Sequence, residues 1–285
     1  MTKPTTPHSF SWPVRLSTSV LAAAVAIFGA GCGTQSDRAA PETSTASEVQ
    51  SGIAHPQGGE QTTGTVLVFA AASLSDAFIE MAAAFEGANP GADIELNLAG
   101  SSALREQILE GAPADVFAAA DEKTMNVVSD NGLVADRVEV FTANQLQIAV
   151  PTGNPGAISG LDDFARAKLL NGLCAAGVPC GDLARQVLVN AGVDPAIDTN
   201  EPDVRSLLTK IAADELDAGI VYLTDVAAND RVEGIEIPAE VNVETTYPIA
   251  KLISSDNPSG ATAFVAFVLS PEGQTILASH GFSAP

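Results

Sequence analysis

From residue 65 onward the apolar positions keep switching between the period of a strand and the period of a helix. VLVFAAASLSD (66–76) is an apolar run that stops at a serine, which predicts a buried strand over 65–70 feeding a helix that starts near Ser75. Ala77, Phe78, Met81, Ala82 and Phe85 then fall on one helical face, and Asn89-Pro90-Gly91 ends that helix. Ile94, Leu96 and Leu98 alternate as a strand over 93–99. Gly100-Ser101-Ser102 opens a helix over 103–110, stopped by Gly111-Ala112-Pro113. A short buried strand over 116–119 follows, and Asp121 is placed to cap a helix over 122–130.

A second region begins with a strand over 145–150. The pattern then predicts a helix over 161–167, a strand near Cys174, and a helix over 181–191 ended by Gly192. Asp203 is placed to cap 204–213. A strand over 219–221 runs into Tyr222, and Asp225 is placed to cap a short helix beyond it. A strand over 247–254 is expected to return to the first region, and helices over 261–269 and 271–280 close the chain. Strand and helix in alternation imply an α/β fold with mixed, mostly parallel sheets.

The first 64 residues follow neither rhythm. Lys3 and Arg15 precede an apolar run from Val20 to Ala30, and no acid appears before Asp37. This reads as a secretory signal peptide over 1–32, too short to span a bilayer comfortably. Its end, GAGC, resembles the lipobox of bacterial lipoproteins, which implies lipidation of Cys32; Gly29 stands where that motif usually has a large aliphatic residue. Residues 33–64 are Ser, Thr, Gly, Gln, Pro and Glu with few large apolar side chains, a composition too poor in burial to offset ordering entropy. They read as a disordered tether, with His55 in it as a bystander.

Charge narrows the partners. Among 285 residues the net charge is -22, which excludes nucleic acid and a basic membrane-binding face. A small anion is not excluded, because clustered N–H and O–H donors bind one without Lys or Arg. Four helix starts supply such donors: Ser73 with Ser75, Ser101 with Ser102, Cys180 after Val178-Pro179, and Val204 after Asp203. Each exposes unpaired amides at the positive end of a helix dipole. Capping is the ordinary role of a serine in such a place, and of Asp115, Asp121, Asp203 and Asp225. Spacing alone does not bring the four together.

VFAAASLSDAF, LAGSSALREQILEGAPADVFAAAD, GVPCG, DVRSLL and GIVYLTD, in that order, resemble the periplasmic molybdate-binding proteins of ABC importers over residues 65–285. The resemblance implies a two-lobed type II periplasmic-binding-protein fold with a ligand cleft between lobes: 65–145 as lobe 1, 146–246 as lobe 2, and 247–285 returning to lobe 1. It implies an oxyanion held by hydrogen bonds alone, from the hydroxyls of Ser73, Ser101 and Tyr222 and the amides of Cys180 and Val204. Gly100 stands where the family commonly has a further serine, with no essential loss expected. The implied ligand is molybdate or tungstate, the implied partner an ABC permease. No cofactor is implied, and a lipid-anchored, extracytoplasmic monomer is expected.

Two further readings complete the expectation. Cys174 and Cys180 lie six apart in an exported chain, which makes a disulfide plausible; two buried thiols or a metal site are the alternatives. Other functions fit less well. A serine hydrolase needs a base beside Ser73 or Ser101, and the folded region holds one histidine, His280. Ferric-binding relatives use tyrosine pairs, whereas Tyr222 and Tyr247 are the only two here, and Tyr247 is expected to pack near the lobe crossing. Sulfate remains an alternative oxyanion, and the motif set favours the larger ones.

Overall fold

The computed structural model describes residues 62–285. The expected signal peptide, Cys32, His55 and nearly all of the tether lie outside the described residues. The strand β1 (Thr63–Ala71) takes in the last two residues of the expected tether.

A single 3-10 turn, Ala72–Leu74, joins β1 to α1 (Ser75–Ala88). There follow β2 (Gly91–Ala99), α2 (Ser101–Leu109), β3 (Val116–Ala118), α3 (Glu122–Asp130) and β4 (Glu139–Pro151). The second half holds β5 (Asn171–Cys174), α4 (Pro179–Asn190), β6 (Thr199–Glu201), α5 (Val204–Ala212), β7 (Ala218–Tyr222), α6 (Leu223–Ala227) and β8 (Val232–Ile235). Then β9 (Glu244–Lys251), α7 (Pro258–Val268) and α8 (Pro271–Ser279) complete the chain.

The strands run β2-β1-β3-β9-β4-β7-β5-β6, with β8 also on β4. Strand β4 is the shared member. Glu139 to Gln145 pair with β9, whereas Leu146 to Pro151 pair with β7 and β8. Partner exchange at Gln145/Leu146 therefore divides the sheet into two halves, and β9 brings the chain back to the first. Pairing is parallel within each half (β1 with β2 and β3, β5 with β6 and β7). Every antiparallel pair involves β4 or β9. The sheet is thus mixed in equal measure rather than mostly parallel, because the two crossing strands bring their own antiparallel partners.

The core of the first half is built on α1. Phe78 and Phe85 pack edge-on against Phe264 of α7, with ring centroids 6.1 and 5.5 Å apart, and Phe85 meets Phe267 at 5.6 Å. Burying each such ring is worth about 1.5–3 kcal/mol, so α7 holds α1, and α1 holds the turn carrying Ser73. The chain end is tied in as well. Ser283 exchanges backbone hydrogen bonds with Ala143 of β4 (2.9 and 3.1 Å), and Phe282 is buried 5.6 Å from the Tyr247 ring.

Several elements depart from their expected form for physical reasons. The first half of β4 and the start of β9 carry Thr142, Asn144 and Thr245, polar residues that are buried because each finds a partner: Ser283, Thr224 and Ala120 respectively. Strand β9 consequently begins at Glu244 and ends at Lys251. Residues 161–165 form a 3-10 turn rather than an α-helix. Asp121 and Asp203 cap α3 and α5, accepting from the amides of Thr124 and Ser206 (both 2.8 Å). Asp115 is no cap. It accepts from the Leu67 amide (2.7 Å), the Ser255 hydroxyl (2.6 Å) and the Asn257 amide (3.1 Å), tying β1 to the segment before α7. Ser75 does not cap α1 either; its hydroxyl donates back to the Ala72 carbonyl at 2.6 Å.

Candidate ligand-binding site

Five residues far apart in sequence meet at one small cavity: Ser73, Ser101, Cys180, Val204 and Tyr222. Each arrives by a different element. Ser73 lies in the turn after β1, 3% exposed, its hydroxyl 3.0 Å from that of Tyr247. Ser101 is the first residue of α2, and its oxygen accepts the Ala120 amide at 3.0 Å. Cys180 is the second residue of α4 and Val204 the first of α5. At those positions a backbone N–H has no carbonyl partner within its helix. Tyr222 ends β7 and is 1% exposed. The first two come from one half of the sheet and the other three from the second.

The cavity is small, about 10 Å3 as a water-sized sphere samples it. Sites for organic ligands span roughly 300–1,000 Å3, so sugars, amino acids and peptides do not fit, and a compact ion does. No Lys, Arg or His lines it. Asp203 does, yet both its carboxylate oxygens are engaged by Ser206, one by the amide at 2.8 Å and one by the hydroxyl at 2.9 Å.

The Tyr222 hydroxyl is the least satisfied group in this arrangement. It is buried and has no hydrogen-bond partner in the protein. An unpaired buried hydroxyl is costly, on the order of 1–3 kcal/mol. Burial above all, then the neighbouring Tyr247 and the carboxylates of Asp121 and Asp225, push its ionisation far above the ordinary tyrosine range. It therefore keeps its proton and needs an acceptor.

Cys180 is held from behind. It is bonded to Cys174, with Cα atoms 5.8 Å apart, so the bridge closes the loop that presents the Cys180 amide. Gly181 allows the close packing that follows: a Cβ there would stand 2.1 Å from the Ala175 carbonyl oxygen.

Charged groups surround the cavity without entering it. Arg205, next to Val204, reaches across to Asp76 of α1 at 2.5 Å and lies 3.1 Å from the buried Asp225 of α6. Asp225 also accepts the Tyr222 amide at 3.3 Å. It is the third residue of α6 and so does not cap that helix in the manner expected. Burial pushes its carboxyl up to about 7, against the pull of Arg205. On the other side, Lys123 of α3 meets Asp182 of α4 at 2.7 Å. Both Arg205–Asp76 and Lys123–Asp182 join the two halves of the molecule. As partly exposed pairs they contribute at most about 1 kcal/mol each.

Three residues near the cavity have no counterpart among the expected site residues. Tyr247 was expected only to pack at the crossing, where it does lie, its ring 6.0 Å from that of Tyr222. Its hydroxyl also contacts Ser73, and Asn144 and Thr224 stand behind it. The available signal was a pair of polar side chains, Asn144 and Tyr247, inside otherwise buried strands.

Residues 66–283 match the family model for bacterial extracellular solute-binding proteins. The molybdate-binding protein ModA of Mycobacterium tuberculosis H37Rv is 36% identical over 231 residues, covering 81% of this chain and 88% of that one. ModA of Escherichia coli K12 is 31% identical over 234 residues, covering 77% and 89%. In structure, the periplasmic molybdate-binding protein of Azotobacter vinelandii superposes with a TM-score of 0.67, covering 77% of this chain and 99% of that one. At 20% identity this last likeness concerns the fold. With its two-lobed type II architecture and a model match spanning nearly all the described residues, the chain belongs to the bacterial extracellular solute-binding protein family.

Proposed function

We propose that the protein captures molybdate or tungstate outside the cytoplasm and delivers it to an ABC importer. The observation that carries this is the buried Tyr222 hydroxyl, without a partner, in an ion-sized cavity that holds no cationic side chain. The ModA relatives, named for molybdate, support the choice of ligand.

The proposed binding set is Ser73, Ser101, Cys180, Val204 and Tyr222, all donors, and nothing in it demands a donor from the ligand. A tetrahedral dianion with four acceptor oxygens matches such a site. Hydrogen phosphate, which keeps a proton, would bury an O–H with nowhere to donate. Sulfate carries no proton and is smaller, so separation from sulfate falls to cavity size. Residues 65–145 with 247–285 form one lobe and 146–246 the other in this reading. Ligand touching both lobes favours the closed state over the open one.

The same reading assigns no catalysis. Ser73 contacts a phenol and Ser101 a backbone amide, and His280 is paired with Glu80 at 2.8 Å. It places the protein on the membrane as a monomer, anchored through a lipidated Cys32. Cell fractionation tests the anchor: Cys32→Ser is expected to move the protein out of the membrane fraction, and unchanged membrane association would contradict it.

Calorimetric titration with molybdate, tungstate, sulfate and phosphate tests the ligand. Molybdate and tungstate are expected to bind much more tightly than the other two. Sulfate binding as tight as molybdate binding would overturn the assignment.

A further inference from the structure

The hydroxyls around the cavity are arranged so that the direction of each proton follows from its neighbours. Asn144 is 3% exposed, and its side-chain oxygen accepts the Gln145 amide at 2.9 Å, which fixes the orientation of the carboxamide. Its nitrogen therefore faces Thr224 Oγ1 at 2.9 Å and the Tyr247 oxygen at 3.5 Å. An amide nitrogen only donates. The Tyr247 oxygen thus accepts from Asn144, and its own proton has one acceptor in hydrogen-bond reach among the described residues, Ser73 Oγ at 3.0 Å. Tyr247 is fully buried, and burial raises its ionisation well above the ordinary tyrosine range, so the proton stays in place. Ser73 Oγ, having accepted, has its own proton left over, and the cavity is where that proton finds an acceptor.

Ser101 is arranged the same way by other means. Its oxygen accepts the Ala120 amide at 3.0 Å, leaving its proton for the cavity. Tyr222 offers a proton without accepting any. Two hydroxyls that could each act as donor or acceptor, those of Ser73 and Ser101, are thereby set as donors.

We propose that Asn144 and Tyr247 form a relay that fixes Ser73 as a donor, and that Tyr247 is a positioning residue for discriminating fully deprotonated oxyanions from those that retain a proton. This rests on the oxyanion reading of the cavity. Without Tyr247, the Ser73 oxygen is free to accept, and the O–H of hydrogen phosphate gains a partner at Ser73 that the relay denies it there.

Sulfate and phosphate make the test, because they are close in size and differ by one proton at mildly alkaline pH. Each is measured by competition against bound molybdate, in the wild type and in Tyr247→Phe. The variant keeps the ring that packs on Phe141 and Phe282, so the fold is expected to survive. The expected result is that phosphate gains on sulfate by about tenfold in the variant, the scale of one satisfied buried hydrogen bond, while molybdate weakens severalfold. Asn144→Ala, which keeps the phenol and removes its donor, is expected to shift the ratio in the same direction, and it serves if Tyr247→Phe does not fold. A role confined to holding Ser73 in place would weaken sulfate and phosphate alike. An equal change in both, including no competition by either, overturns the relay. Failure of the wild type to bind molybdate at all would overturn the ligand reading instead, so the two failures are distinguishable.

Discussion

Tyr222→Phe is expected to weaken molybdate binding by about 1–3 kcal/mol, a loss of roughly 5- to 150-fold, with the fold intact. The substitution removes one oxygen and keeps the ring, which packs at 6.0 Å from Tyr247. That oxygen has no hydrogen-bond partner within the protein, so its removal breaks no internal bond. The melting temperature of the unliganded variant should therefore equal or exceed that of the wild type, while affinity falls. These opposite signs separate a ligand contact from a structural hydroxyl. Calorimetry and thermal unfolding on the same preparation check both. Unchanged affinity would remove Tyr222 from the site, and a fall in stability would show that the hydroxyl bonds within the protein.

Gly100→Val is expected to weaken binding of every oxyanion by a similar factor. Gly100 precedes α2 in the first half of the molecule. A Cβ on it would stand 2.6 Å from the Pro202 carbonyl oxygen and 3.4 Å from the Asp203 Cβ, both in the second half. Its backbone angles are open to any residue, so the constraint is space and not conformation. A side chain there pushes α2 away from the segment that leads to Val204. Overpacking of this kind costs about 1–3 kcal/mol, and here it falls on the closed arrangement. A uniform loss across molybdate, tungstate and sulfate, with unliganded stability unchanged, is the expected pattern. Affinities equal to the wild type would show that the two halves do not need this approach when ligand is bound.

Gly100 also marks a limit of reading from sequence. As the replacement of a serine it looked dispensable, and only the approach of Pro202 from the other half gives it a reason. The five cavity residues were more legible, because each sits at a helix start or a strand end that the apolar periodicity locates. Their convergence was not legible from spacing; it came through the family resemblance, and the sheet now accounts for it. Both halves end their parallel strands toward the shared crossing, so β1, β7 and the starts of α2, α4 and α5 face one cavity. What escaped was polar and long-range. Tyr247 reaches Ser73 across 174 residues of chain, and Asn144 reaches Thr224 across 80. No local pattern encodes such pairs, and the same buried polar residues concealed the first half of β4 and the start of β9.

Ion pairs across the cleft carry less weight. Arg205–Asp76 and Lys123–Asp182 bring the halves together on either side of the cavity, yet exposure keeps each of them weak. On the proposed reading, closure is then governed by the oxyanion that fills the cavity.

The most direct test is a crystal grown with tungstate and measured at the tungsten absorption edge, where the metal announces its own position. One strong anomalous peak is expected in the cavity, with oxygens in hydrogen-bond range of the Ser73, Ser101 and Tyr222 hydroxyls and the Cys180 and Val204 amides. A peak elsewhere, or a tungstate held by Lys or Arg side chains, would contradict the assignment of a neutral, donor-only oxyanion site.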